Sequence, residues 1–480
     1  MASEPWSAAP AADLNGTDSL HRIEETVARG ICIGCGLCAT VTDGGISVSI
    51  GSDGMLVPDL TAASEADLRR ASLVCPFSDE SADEDVLGPP SADLGPVPST
   101  PLLGTYTTLG AGRRQDDAEL LTSSSGGLTS WLTEQLLADG LVDAVIHVGA
   151  GSDGALVSSR VSSRLDRDDG TRKSRYHPTS LDEAMGHVRR TSGRYVLVGV
   201  PCMIRAARNL CRQDPVIRDR LHFFVGLVCG HMKTAGFAES LAWQLGVEPS
   251  ALAAIDFRVK NLDRPSNDYD VLARSSDGSE VRAPTRSLIG TNWGHAAFQP
   301  EACNFCDDIF AETADIVFGD AWIPRFEADS RGTNVYVSRN RVIDEILDAG
   351  ARRGDIHLEA LEPRAVEASQ GGNYRHRREG LAVRLADDIE RGLSVPRKRV
   401  EPSTTHLDER RTAVIRHRRE MARQSRLVFA RAKELSDLGV YTSFMRREIR
   451  AHSRLEKPWL RRAAGRARRV ARRLVSRVAR

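Results

Sequence analysis

Nine cysteines are spread along 480 residues, and eight of them fall into two sets of four. Cys32, Cys35 and Cys38 stand at three-residue steps in Ile31-Cys-Ile-Gly-Cys-Gly-Leu-Cys, with Cys75 following in Val74-Cys-Pro-Phe. Cys202 closes Gly199-Val-Pro-Cys, Cys229 lies in Gly226-Leu-Val-Cys-Gly, and Cys303 and Cys306 form one C-x-x-C knuckle. Thiolates are soft, electron-rich ligands, and four of them suit a 4Fe-4S cube that moves one electron at a time. The chemistry to expect is electron transfer, in an oxidoreductase.

The first set reads as half of a bacterial ferredoxin. The two-cluster pattern is C-x2-C-x2-C-x3-C-P, and its fourth cysteine serves the other cluster. Here that position is Thr42, and only the distant Cys75-Pro76 remains. One cube on Cys32, Cys35, Cys38 and Cys75 follows. Gly34 and Gly36 let the loop wrap it and aim N–H groups at its sulfurs. Structural zinc prefers two knuckles set well apart, not three cysteines in seven residues. The second set is more open. Cys202 and Cys229 each follow an expected strand and could converge with the knuckle, holding either a second 4Fe-4S cluster or zinc. Cys211, on an expected helix, is read as a buried core thiol.

The elements that must position these groups follow from pattern. Ile46-Ser-Val-Ser-Ile alternates like a strand and runs into the turn Gly51-Ser-Asp-Gly. From Tyr106 onward strands and helices alternate. Strands are expected at Val142–Val148, Tyr195–Val200 and Leu221–Val228. Helices are expected from Gly126, after Ser123-Ser-Ser, and over Leu181–Arg190, Met203–Leu210 and Ala235–Leu245. This is a mixed α+β or α/β core with a substantial sheet. The boundaries expected are a loose N-terminus over 1–20, a ferredoxin-like module over 21–80, a Pro/Ser/Asp-rich linker over 81–101, the main domain over 102–375, and a basic helical extension over 376–480.

Composition narrows the class. Hydrophobic residues make up 41%, enough for a large core, and the 65 Lys and Arg balance the 65 Asp and Glu. Charge is uneven: the first hundred residues lean acidic and the last eighty are basic. There is no apolar run long enough for a membrane span and no Sec-type signal at Met1-Ala-Ser-Glu-Pro-Trp. Cysteines in C-x-x-C steps then favour metal ligation in a reducing cytoplasm over disulfides. From Lys457 to Arg480 no acid occurs, while Trp459, Leu460, Val470, Leu474 and Val478 share a helical face. That stretch reads as a frayed basic tail or as peripheral contact with anionic lipid at the inner face of the membrane, with nucleic acid trailing.

The chain resembles the beta-subunit family of coenzyme F420-reducing hydrogenase and F420-dependent formate dehydrogenase, which also includes 7-hydroxymethyl chlorophyll a reductase. The resemblance runs from about Cys32 to about Val337. It rests on Ser125-Gly-Gly, Lys173-Ser-Arg-Tyr, Gly199-Val-Pro-Cys, Gly226-Leu-Val-Cys-Gly, Phe257-Arg-Val-Lys, Cys303-x-x-Cys-Asp and Ala314-Asp-Ile-Val-Phe-Gly-Asp, in that order. It implies an FAD-containing flavoprotein with one or two 4Fe-4S clusters. No Rossmann fingerprint announces that flavin.

What the resemblance implies for the site can be set out by residue. Ser124, Ser125, Gly126 and Gly127, ahead of a helix, suit the FAD pyrophosphate, or simply cap the helix. Lys173, Arg175 and Tyr176 stand where the family has a Gly-Ser-Lys-Tyr-like motif; the glycine is absent here and the basic residue is Arg. Lys260 and Asn261 are candidates for flavin or substrate anion, and Lys260 also for catalysis. Asp320 would bond a ribityl hydroxyl or cap a turn, and Asp307 would support Cys306. His231, near Cys229, would relay a proton, or be structural. The path expected is an external ferredoxin-like or other one-electron carrier, the first cluster, the second cluster, FAD, and a two-electron substrate, in either direction. F420 and an organic acceptor are equal candidates for that small-molecule substrate. Two alternatives stand beside this: a non-catalytic electron-transfer subunit of a larger dehydrogenase, and a zinc-stabilised binding protein. A homo-oligomer is compatible with all three.

Overall fold

Alternating burial builds the centre of the molecule. Val145, Val196, Phe223, Val225, Ile316 and Phe318 turn to one face of a sheet, and Ala144, Ile146, Tyr195, Leu197, Phe224 and Val317 to the other. Strands apolar on both faces must lie between two layers. The computed structural model describes residues 20–42, 44–88, 97–151, 155–165 and 172–457, and it places these residues in an eight-stranded mixed sheet. Its strands are β1 (Thr108–Arg114), β2 (Ala144–Ala150), β3 (Val157–Ser162), β4 (Tyr195–Gly199), β5 (Leu221–Leu227), β6 (Ile316–Asp320), β7 (Asn334–Ser338) and β8 (Ile356–Ala360). They lie in the order β8-β1-β7-β6-β5-β4-β2-β3. β2, β4, β5 and β6 are parallel, and antiparallel strands flank them.

One face is covered by helix α2 (Leu128–Ala138) and the helix Arg341–Arg353. The other face receives α3 (Pro201–Gln213) and the first cysteine module. That module contains the hairpin Ser47–Ile50/Leu56–Asp59 and helix α1 (Glu65–Val74), which packs on α3. Ile31, Ile33, Leu37 and Phe77 belong to the same apolar cluster as Leu197, Ile204 and Phe224. A second core joins the helix Ala235–Gln244, a three-stranded meander over Leu252–Pro284, and the helices α4 (Glu409–Glu434) and α5 (Leu438–Glu456). Phe237, Phe257, Phe298, Phe429 and Tyr441 fill it, and Phe298 meets Phe429 edge-on at 5.3 Å.

The mixed α/β class and the expected strands and helices are present, with ends shifted by one to three residues. Packing crosses the expected boundaries near 80 and 375: Leu381, Leu385, Val395 and Val400 sit in the main core beside the first module. Cys211 is half-buried rather than buried, because it lies in the last turn of α3 at the edge of the core. The readings of residues 1–19, of 89–96 within the linker, and of the basic tail from 458 lie outside the described residues. No helix of the described residues is long and apolar enough to cross a membrane.

Candidate functional site

A cleft of about 770 Å³ opens over the C-terminal ends of the parallel strands. Val145, His147 and Val148 from β2, Val198 and Gly199 from β4, Leu227 from β5, and Phe318 through Asp320 from β6 line it. In open α/β sheets this edge is where ligands bind, since loops diverge there and leave a crevice. The volume matches that of a cofactor-sized site.

The loop Ser123–Gly127 forms one wall. A side chain at Gly126 would meet the Asn334 amide and the Gly112 carbonyl at 2.7 Å, so the loop sits directly on β1 and β7. Gly127 caps α2 with φ +76°, a left-handed conformation that favours glycine. The Ser124 hydroxyl accepts from the Ser174 amide at 2.7 Å, and the Ser125 hydroxyl donates to the Thr333 carbonyl at 3.2 Å. The Leu128 N–H is already satisfied by Asn334 Oδ1 at 3.1 Å. Gly127 is the N-cap, no serine of the loop bonds the helix N-terminus, and the loop faces the cleft.

Both cysteine sets come together. Cys202 opens α3 directly after β4, Cys229 follows β5, and Cys303 lies within a short 3₁₀ turn that Cys306 ends. Burial pushes every one of the eight thiols up. Their neighbours add to it: Cys38 feels Cys35, Cys32 and Cys75, and Cys202 feels Cys306, Cys229 and Cys303. Buried thiols crowded in this way are poor nucleophiles and suit a cation that would deprotonate them. The Gly34 N–H donates to Cys32 Sγ and the Met232 N–H to Cys303 Sγ, each at 3.3 Å. Among the described residues no three His, Cys, Asp or Glu side chains converge on the geometry of a single ion. The quartets are gathered, yet not closed on one point.

The two quartets meet the cleft differently. Cys229 lines it directly. The first quartet approaches through Leu181, a cleft residue whose N–H donates to the Cys35 carbonyl at 2.8 Å. A Cβ at Gly36, where φ is +76°, would overlap the Ser180 hydroxyl, so the cysteine loop lies flush against the main domain.

The other expected site residues divide. Lys173, Arg175, Tyr176 and His231 line the cleft. Lys173 pairs with Asp256 at 3.0 Å, and Arg175 donates to the Ile255 carbonyl at 3.1 Å. Tyr176 packs edge-on against Phe257 and Trp293. His231 lies 4.3 Å from the Trp293 ring, and burial followed by the Lys233 charge holds its imidazole neutral. Lys260 and Asn261 stand apart from His231, in a small recess beside the cleft. Lys260 Nζ donates to the carbonyls of Leu120 at 2.6 Å and Ser125 at 2.8 Å, so it clamps the serine loop. Asp320 is held by Arg258 through both oxygens, at 2.8 and 2.9 Å. Asp307 is buried against Arg399 and Lys398, which hold its carboxyl far below the usual range and tie down the segment after 395.

Burial, then the charges of Arg258 and Lys173, lower Lys260 to about 7. An unfolded lysine titrates near 10.4. Between about 7 and 10.4 the unfolded chain thus carries the extra proton, and stability contributed by this group rises with pH across that window. Lys260→Met should flatten the rise in unfolding free energy measured from pH 7 to 10 relative to wild type. Parallel curves would show that the amine is not depressed.

Reading the sequence alone missed Arg258, Lys233 and Arg377. Arg258 stood inside the quoted Phe257-Arg-Val-Lys but was passed over for Lys260. Lys233, two residues past His231, is buried, donates to the Ala297 carbonyl at 2.6 Å and lies over the Phe237 and Trp293 rings. Arg377 lay in the stretch read as an extension.

The N-terminal model of the coenzyme F420 hydrogenase/dehydrogenase beta subunit matches residues 111–185, and the C-terminal model matches 192–364. No curated protein matches the chain. Among solved structures, a chain of the F420-reducing NiFe hydrogenase complex from Methanosarcina barkeri, a xenon derivative, is 18% identical, and the alignment covers 65% of this chain and 100% of that one at a TM-score of 0.45. The two models together match just over half of the residues, in sequence order, and span the sheet, the serine loop and the second cysteine set. The chain belongs to the coenzyme F420 hydrogenase/dehydrogenase beta-subunit family.

Proposed function

We propose that the chain is an iron–sulfur flavoprotein oxidoreductase, with FAD in the cleft and a 4Fe-4S cluster on each cysteine quartet. One observation carries the reading: Cys229, a member of the second quartet, lines the same cleft as the serine loop at the C-terminal edge of the parallel strands. Bound there, clusters pass single electrons and a flavin holds one or two, which joins a one-electron carrier to a two-electron substrate. The Ser123–Gly127 loop would hold the pyrophosphate with backbone N–H groups, and Lys260 keeps that loop in place. Tyr176 and Trp293 offer aromatic walls, and Arg175 and Lys173 bring positive charge to an anionic ligand. His231, the proton-relay candidate, lines the cleft as a neutral imidazole whose burial and nearby Lys233 charge oppose its taking a second proton.

The test is reduction of the anaerobically purified chain by reduced ferredoxin. A flavin band should bleach, and F420 or an organic acceptor added afterwards should restore it. Restoration by no acceptor would favour an electron-transfer subunit without its own turnover. A colourless protein holding zinc would defeat the redox reading.

A further inference from the structure

The segment beyond residue 364 lies outside the family match, yet it reaches the second quartet. Arg375–Glu379 forms one π-helical turn, a wide turn that recurs at functional sites. It carries Arg377 inward until the side chain is 1% exposed. Arg377 Nη2 donates to the Cys229 and Gly230 carbonyls, at 2.9 and 3.0 Å. Its Nε and Nη1 are buried with no hydrogen-bond partner. A buried guanidinium with two unpartnered nitrogens is costly unless something acidic receives their N–H groups. Its charge couples with all four thiols of the second quartet, Cys306 first.

Two more arginines support it. Arg384 donates through Nε to the Asn304 carbonyl, inside the Cys303–Cys306 knuckle, at 2.8 Å. Arg418 of α4 donates to the Trp293 carbonyl at 3.2 Å, and its charge acts on Cys303. Lys398 faces Cys306. Acids on this side include Asp307, paired with Lys398 and Arg399, Asp308, which accepts from the Glu312 N–H at 3.0 Å, and Glu301, paired with Arg419. The first quartet is surrounded differently: Asp182 faces Cys35 and Arg205 faces Cys75.

We propose that Arg377, delivered from the C-terminal segment, donates hydrogen bonds and positive charge to the second quartet's cluster and raises its reduction potential above that of the first. Charge and hydrogen bonds to sulfur are what set such potentials. With clusters on both quartets, an electron given up by the first would be accepted by the second, beside the cleft. This rests on the iron–sulfur reading of both quartets.

The experiment is an EPR-monitored redox titration of full-length anaerobic wild type, Arg377→Gln and Arg377→Lys, with iron counted in each. Wild type should show the second cluster reduced first. Arg377→Gln should weaken its one-electron reduction by tenfold or more, a fall of about 59 mV or more, with the first cluster unmoved. Arg377→Lys should keep most of the potential. An unmoved midpoint in Arg377→Gln with the clusters retained overturns the proposal, and so does a Lys variant that falls as far as Gln. Should Arg377→Gln fail to hold the second cluster, Arg418→Gln must lower the same midpoint by a smaller step, and no shift there overturns the proposal. Wild type lacking the second cluster defeats the functional reading instead, which keeps the two failures apart.

Discussion

Cys229→Ser should lower electron delivery from reduced ferredoxin to a two-electron acceptor by about 100-fold or more, while the first cluster stays in place. Loss of a mere supporting group around a metal costs roughly 10–100-fold, and a ligand is worth at least that. Cys229 is buried, follows β5, and is the one member of its quartet that borders the cleft. A serine oxygen is a hard, weak ligand for iron and leaves the inner relay broken. The substitution removes one sulfur and no backbone contact, and the Arg377 hydrogen bonds go to the Cys229 and Gly230 carbonyls. Folding should therefore survive. Iron should fall by about half, and the EPR signal that remains should be that of the first quartet. Full iron with undiminished electron delivery would place the relay elsewhere.

The second large effect concerns stability. Arg258 and Asp320 form a two-point ion pair at the cleft edge, with the guanidinium near the Tyr269 and Trp322 rings. The Arg258 side chain is 6% exposed. Removing one partner strands a buried charge, and breaking such pairs costs about 3–5 kcal/mol. Asp320→Asn should destabilise the protein by about that amount in denaturant unfolding. The double variant Arg258→Met with Asp320→Leu should recover much of the loss, since neither charge is then left alone. Equal losses in the single and double variants would show that Asp320 acts by some other contact, such as the ribityl hydroxyl expected from the family resemblance.

Much of the centre was legible. Strands such as Tyr195–Gly199 are apolar at every step, and α3 starts at Pro201 with a strong apolar stripe, so their type follows from pattern. The spacing of Cys32, Cys35 and Cys38 marked the first set, because ligand geometry fixes spacing within a loop, whereas the second set was read from strand ends and a single knuckle. What joins distant loops is not written locally. Nothing near Lys260 tells that its amine grips Leu120 and Ser125, some 140 and 135 residues away. The charged C-terminal stretch hid its apolar face. Ile415, Ala422 and Phe429 recur every seven residues in α4, with Ser425 and Ala432 three residues after the latter two, all buried. Arg418 falls on the same stripe. A polar residue in an apolar stripe was the available signal for a charge turned inward. The meander over Leu252–Pro284 escaped notice because its outer strand Glu280–Pro284 is largely exposed and carries no alternation.

The central claim is that the second quartet reaches the cleft through Cys229, that the first stands behind Leu181, and that clusters on both would supply electrons to a cofactor held there. Its most direct test is to purify the full chain without oxygen and count iron, acid-labile sulfide and flavin per chain. The account predicts about eight irons, about eight sulfides and one FAD, in a brown-yellow protein. Zinc in place of iron, no sulfide and no flavin would contradict it.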